Sequence, residues 1–346
     1  MQSKTQRRVA WLSVILSLGL VAAACGGDDD DDTGTGGSGE ATDEGAVTGE
    51  INISGSSTVE PVSTAAGEAF MEANPDAIVN VDGPGTGDGF QLFCSGQLDI
   101  SDASRAIDDE EAAACDENGV AYTELQIAFD GITVMTSPDN EIECLSFADL
   151  YALIGPESEG FSTWADAQPI ASELGSNTEF PDAPLDITGP GTESGTYDSF
   201  IELALSDIAE ERGVEEDLVE STRPDYNASP NDNQIIDGVE SSDSSLGWVG
   251  FAFAEGAGDQ VKELGVTAEP NGECVTPSTE TISDESYPLA RPLFIYVSQA
   301  SATDNEAVAP FVDFYLENLN EYVESTGYVA LPDDQATELT TTWEDR

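Results

Sequence analysis

The chain has 346 residues, enough for one large domain or two of ordinary size, and 39% of them are hydrophobic, so a core can be built. Nine Lys and Arg stand against 70 Asp and Glu, a net charge of −61, which argues against nucleic acid as a partner because nothing offsets phosphate repulsion. Histidine is absent, which removes Ser-His-Asp and Cys-His catalysis and most zinc sites.

Residues 1–24 read as a secretion signal: Lys4, Arg7 and Arg8 form a basic start, and an apolar run ends in small residues. That run, from 9 to 24, is short for a membrane span, which needs roughly 20 residues. Ala22-Ala-Ala-Cys25 resembles a bacterial lipoprotein box, which implies that Cys25 becomes the lipidated first residue of the mature chain. The Arg7-Arg8 pair leaves open export by a general or a twin-arginine route. Residues 25–48, with five aspartates at 28–32 and no large apolar residue before Val47, read as a disordered acidic tether. Beyond the leader six cations remain: Arg105, Arg212, Arg223, Lys262, Arg291 and Arg346. The acids are spread along the chain rather than gathered in one tail. Such a surface suits high salt and predicts a salt-tolerant or halophilic source.

From residue 50 the pattern alternates. Strands are predicted at 51–54, 77–81 and 98–101, separated by helices at 59–74 and 90–96, and a helix follows at 108–118. Residues 121–137 form one long strand-rich run. A second unit has a helix at 146–154, a strand at 185–187, helices at 194–212 and 231–241, and a strand at 246–254. A strand at 288–297 and an amphipathic helix at 305–326 close the chain. Alternating units predict a mostly parallel sheet with helices on both faces, in two α/β lobes with a cleft between them. In such sheets ligands sit beyond the carboxyl ends of the strands.

Three strand-to-helix turns share one composition. They are Gly55-Ser-Ser-Thr58, Gly83-Pro-Gly-Thr-Gly-Asp-Gly-Phe90 and Gly189-Pro-Gly-Thr-Glu-Ser-Gly-Thr-Tyr-Asp-Ser-Phe200, the last two sharing Gly-Pro-Gly-Thr. Taken singly, each is an ordinary turn in which Gly, Ser and Thr cap a helix. Taken together, they suggest three helix N-termini converging on one small anion, which unpaired amides, hydroxyls and the helix dipole would hold.

Four cysteines remain beyond Cys25, and an even number in an exported chain suggests two disulfides. Three connectivities are possible; the preferred one pairs Cys94 with Cys115 and Cys144 with Cys274. No CxxC spacing supports a metal site, and no cofactor is implied.

The chain resembles the phosphate-binding proteins of ATP-driven (ABC) phosphate importers, which are type 2 periplasmic binding proteins. Gly55-Ser-Ser-Thr-Val59, Gly85-Thr-Gly-Asp-Gly-Phe90, Asp99-Ile-Ser-Asp-Ala-Ser-Arg105, Gly191-Thr-Glu-Ser-Gly-Thr-Tyr197, Leu246-Gly-Trp-Val-Gly-Phe-Ala-Phe253 and Tyr287-Pro-Leu-Ala-Arg-Pro-Leu293 carry the resemblance. It implies a two-lobed α/β fold closing on phosphate, with lobe I at 50–134 plus 291–346 and lobe II at 135–290. It implies extracytoplasmic capture of inorganic phosphate, lipid anchoring at the outer face of the cell membrane, delivery to permease subunits, and a monomer. The implied ligands are Thr58 and Val59 in the first loop, Thr86 in the second, and Ser194, Gly195 and Thr196 in the third. Some members carry an Arg where this chain has Pro190 and an Asp where it has Ser104. Ser104 and the adjacent Arg105 therefore join the candidate set, with Arg105 expected to supply the missing guanidinium. Asp102, Glu193, a more distant acid or a backbone carbonyl is left to accept the phosphate proton, the feature that would reject sulfate. The alternatives are a binding protein for another oxyanion, a secreted phosphatase or a surface adhesin; without His, a metal cluster or a P-loop Lys, the phosphatase lacks machinery.

Overall fold

Short β-branched runs become strands in the computed structural model, which describes residues 47–192 and 194–346. The leader, Cys25, the tether up to residue 46, and Glu193 lie outside the described residues. The strands are β1 (Gly49–Gly55), β2 (Ala77–Asp82), β3 (Ile100–Ala103), β4 (Tyr122–Thr136), β5 (Cys144–Ser146), β6 (Asp186–Gly189), β7 (Asn227–Ala228), β8 (Ser245–Gly250), β9 (Lys262–Glu263), β10 (Gly265–Thr267) and β11 (Ala290–Ser298). The main sheet runs β2-β1-β3-β11-β4-β8-β6-β7, with β9 beside β4, and β10 pairs separately with β5.

The sheet is mixed rather than mostly parallel. β1 is parallel to β2 and β3, and β6 is parallel to β7 and β8, but β11 and β4 run antiparallel to their neighbours. The reason lies in β4. It spans 15 residues, pairing with β11 up to Gly131 and with β8 from Ile132 onward. One strand thus serves both halves of a two-lobed α/β fold. Gly131 stands at the change of partner, where a Cβ would lie 2.6 Å from the Ile282 side chain.

Strand alternation sends side chains to both faces. In β11, Leu293, Ile295 and Val297 join the large core with Ile51, Ile53 and Phe70, while Phe294 and Tyr296 face Phe90 and Phe93. Helix α1 (Glu60–Ala73) covers the first face, with Phe70 edge-on to Phe311 at 5.3 Å. Helices α2 (Thr86–Cys94) and α3 (Asp109–Asn118) cover the second, joined by the Cys94–Cys115 disulfide. The Cys144–Cys274 disulfide ties the ends of β5 and its surroundings to the chain after β10.

Four predicted elements shift. Helix α2 begins at Thr86 instead of 90, because Gly87 and Gly89 hide its period; a Cβ on Gly89 would lie 2.5 Å from Gly55 Cα. The predicted 194–212 helix divides into Gly195–Ala204 and Ser206–Arg212 at the buried Leu205, whose φ is −118°. The predicted 246–254 strand ends at Gly250, the last residue paired with β4, and Phe251–Ala257 is helical. The predicted 305–326 helix breaks at Asn318, whose side-chain amide donates to the Phe314 carbonyl at 2.8 Å and satisfies an end-of-helix acceptor. No helix among the described residues is long and apolar enough to cross a membrane.

Candidate anion-binding cleft

β1, β2 and β3 run in one direction, so their following loops gather at one end of the sheet. Close backbone contact holds them there. The Ser56 amide donates to the Asp102 carbonyl at 2.9 Å, and the Gly85 amide donates to the Gly55 carbonyl at 2.8 Å. Gly55 has φ +148°, and a Cβ there would fall 2.0 Å from the Asp102 carbonyl oxygen, so only glycine fits.

These loops form one wall of a cleft of about 470 Å³, with Ser56, Ser57, Thr58, Thr86, Ser104 and Arg105 among its lining residues. Asp198, Ile201 and Glu202 of the helix Gly195–Ala204 form the facing wall. Thr86 and Ser104 are joined, hydroxyl to hydroxyl, at 3.0 Å, and the Ser104 amide donates to Thr86 Oγ1 at 3.2 Å. The walls touch directly: the Ser57 hydroxyl donates to Asp198 Oδ2 at 3.0 Å, and the Thr58 and Ser199 hydroxyls are 3.0 Å apart. The Tyr328 hydroxyl braces the first loop from behind, donating to the Thr58 carbonyl at 2.8 Å.

Thr58, Thr86, Ser104 and Arg105 therefore meet in one cleft. Val59 is fully buried as the residue before α1, and its amide donates to the Ser56 carbonyl at 3.2 Å. Ser194, Gly195 and Thr196 start their helix beside the first loop but do not line the cleft. The Ser194 hydroxyl accepts from the Thr196 amide at 3.2 Å, and a Cβ on Gly195 would lie 3.3 Å from the Ser57 carbonyl oxygen and Thr58 Cα.

The cations divide in a way the sequence did not show. Arg105 is 40% exposed and forms two parallel 2.8 Å bonds to Glu111, the capping-box carboxylate of α3. Its bonds to Glu111 hold it charged. Arg291, only 6% exposed, lies under the cleft floor. Its Nη2 donates to Thr58 Oγ1 at 2.8 Å and Ser199 Oγ at 2.6 Å, its Nη1 donates to Glu202, and its Nε stands 3.5 Å from Asp130 Oδ2. Asp130 is its register partner across β4 and β11, and burial raises that carboxyl's pKa against the opposing pull of Arg291. Arg291, Ser199, Asp198 and Glu202 were missed as site residues. The available signal was a single Arg between apolar residues and a proline, Leu289-Ala-Arg-Pro-Leu293, in a chain so poor in cations.

Among the described residues three acids line the cleft: Asp198, Glu202 and Glu220. Desolvation raises the Asp198 pKa, with Ser57 and Arg291 opposing and Glu202 and Glu220 reinforcing. Asp102 is fully buried outside the cleft, where its Oδ1 accepts from the Ser63 hydroxyl at 2.9 Å. Burial pushes its carboxyl up to about 7.

The architecture is that of a two-lobed ligand-binding protein with a polar cleft built at strand ends. A family model described as the PBP superfamily domain matches residues 40–318. The chain is 39% identical over 288 residues to Protein SphX of Synechocystis, covering 82% of this chain and 79% of that protein. It is 33% identical over 315 residues to the Phosphate-binding protein PstS of Staphylococcus aureus, covering 91% and 85%. A crystal structure described as a possible phosphate binding protein from Planctomyces limnophilus superposes with a TM-score of 0.75 at 33% identity, covering 86% of this chain and 99% of that one. The chain belongs to the PBP superfamily, in the type 2 periplasmic group that contains these phosphate-binding proteins.

Proposed function

We propose that this chain captures inorganic phosphate outside the cytoplasm and delivers it to the permease of an ABC importer, acting as a binding protein and not as an enzyme. The observation that carries this reading is the cleft itself, where the Thr58, Thr86 and Ser104 hydroxyls stand beside Arg105 and over Arg291. Phosphate named in its relatives supplies the ligand. Micromolar capture needs about 8 kcal/mol. Charge-assisted hydrogen bonds contribute roughly 1.5–3 kcal/mol each, so a few of them suffice after desolvation.

In this reading the Ser194-Gly195-Thr196 turn, which starts its helix beside the first loop, joins the ligand set by a local shift, while the buried Val59, whose amide is bonded to the Ser56 carbonyl, does not. The lobes divide at 134/135 and 290/291, beside the point where β4 changes partner. Asp198, the cleft acid that already accepts from Ser57, takes the phosphate proton in place of the carboxylate that Ser104 replaces. Cys25 carries a lipid that holds the acidic tether at the membrane, and the surplus of acids adapts the surface to salt.

The test is calorimetric titration of the chain from about residue 46, stripped of phosphate, with phosphate and then with sulfate, in high salt. Saturable one-to-one phosphate binding is expected, with sulfate at least a hundredfold weaker. No binding of either anion would overturn the reading.

A further inference from the structure

We infer that Arg291 and Ser199 are positioning residues that present the Thr58 hydroxyl as a donor to an anion in the cleft. The inference takes the ligand's identity from the phosphate-capture reading, but its logic requires only an oxyanion.

Proton counting carries it. A guanidinium only donates, and a hydroxyl has one proton and two lone pairs. Arg291 Nη2 has two N–H groups, and it reaches Thr58 Oγ1 at 2.8 Å and Ser199 Oγ at 2.6 Å. Both hydroxyls therefore accept from the same cation. They also bond each other at 3.0 Å, which consumes one of their two protons. If Ser199 donates to Thr58, both Thr58 lone pairs are filled, and its proton has no acceptor within the trio. Thr58 lines the cleft, which is where an acceptor for that proton can stand. The reverse order sends the Thr58 proton to Ser199 and turns the Ser199 proton toward Asp130, a buried carboxylate whose pKa Arg291 and Ser199 both lower and whose oxygens otherwise hold no hydrogen bond.

An anion in the cleft decides between the two orders. It offers Thr58 a charged acceptor and draws the chain Ser199 to Thr58 to anion into line, leaving Asp130 to the Arg291 Nε. Arg291 is fixed for this work by its bonds to Glu202 and Ser199 and by the Asp130 carboxylate 3.5 Å from its Nε. A lysine has no planar fork with which to hold both hydroxyls. The site thus favours ligands that accept at Thr58 and disfavours neutral ligands that need to donate there.

The experiment is a double-mutant cycle on the chain from about residue 46, using Ser199→Ala, Thr58→Val and the pair, with inorganic phosphate titrated calorimetrically and melting temperature as the folding control. Ser199→Ala should weaken phosphate about tenfold in the parent and less than twofold in the Thr58→Val background. Thr58→Ser, which keeps the hydroxyl, should bind within about threefold of the parent. Arg291→Lys should fall at least tenfold; should that variant not fold, the Ser199 and Thr58 cycle decides alone. Equal effects of Ser199→Ala in both backgrounds, or none in the parent, would overturn the inference. If the parent binds sulfate or molybdate in place of phosphate, the phosphate reading fails and the same cycle is run with that anion. A parent that binds no oxyanion overturns both.

Discussion

Ser57 and Asp198, 141 residues apart, meet hydroxyl to carboxylate at 3.0 Å and join the two walls of the cleft. The bond leaves Asp198 within reach of a ligand held by the first loop while its acidity is weakened by desolvation. Asp198→Asn keeps an acceptor for Ser57 but has no charge with which to attract a proton or repel sulfate. Phosphate affinity should fall about tenfold to a hundredfold and sulfate affinity should rise, about 1.4 kcal/mol for each factor of ten. The sign with pH follows from the raised pKa. Phosphate binding to the parent should weaken on acidification, starting at a higher pH than an ordinary carboxylate would give. Titrations with both anions across pH check this, and an unchanged sulfate affinity in Asp198→Asn would remove Asp198 from the selectivity role.

Arg105 is at the rim, held by Glu111 and partly exposed. A rim charge acts on encounter more than on the closed complex. Arg105→Ala should therefore slow phosphate association and flatten its salt dependence, with an affinity loss of about tenfold or less. Stopped-flow binding between low and high salt distinguishes this from a loss of several hundredfold, which would make Arg105 a main ligand.

Gly195 packs against the first loop. A methyl group there would press on the Ser57 carbonyl and Thr58 Cα at 3.3 Å. Gly195→Ala should lower phosphate affinity several-fold by holding the walls apart while raising helix propensity slightly. Calorimetry paired with thermal melting tests it, and an affinity unchanged from the parent would mean that the first loop yields without cost.

Asp102 offers a pH test of stability. Its carboxyl is pushed up to about 7 by burial, with the Ser63 hydrogen bond opposing. Because the folded-state pKa lies above the unfolded one, its contribution is fully present below about pH 4 and is lost as pH rises through about 7. A shift of that size corresponds to about 4 kcal/mol. Asp102→Asn cannot ionise and can still accept from Ser63, so it should gain on the parent between pH 4 and pH 8. Urea unfolding at the two pH values measures the difference, and a gap that does not change with pH would show that Asp102 does not titrate there.

The three loops were legible because each follows a β-branched run and concentrates Gly, Ser and Thr. Thr58 and Thr86 belong to the first two loops, and Ser104 came from the family resemblance of the Ala-Ser segment after β3; the fold brings all three to one cleft. The start of α2 was not legible, since the glycines that let it approach Gly55 remove the apolar period that marks a helix. Arg105 was chosen over Arg291 for a related reason. Arg105 adjoins a recognisable Ala-Ser pair beside the loops, whereas Arg291 enters the site from β11, a strand far from them in sequence. What brings it to Thr58 is the pairing of β11 with β3 and β4, which is long-range information. The disulfides were chosen correctly from spacing and grouping because one is local and the other stays within one unit.

Thr58 and Arg291 are separated by 233 positions. No fragment that stops short of Arg291 can hold both, so a chain cannot use this pair to trap phosphate before nearly all of it has been made. Occupancy of the cleft is consequently a certificate of finished folding: the anion rewards only the complete molecule, and by mass action it protects that molecule against unfolding by an amount that grows with the logarithm of the anion's concentration.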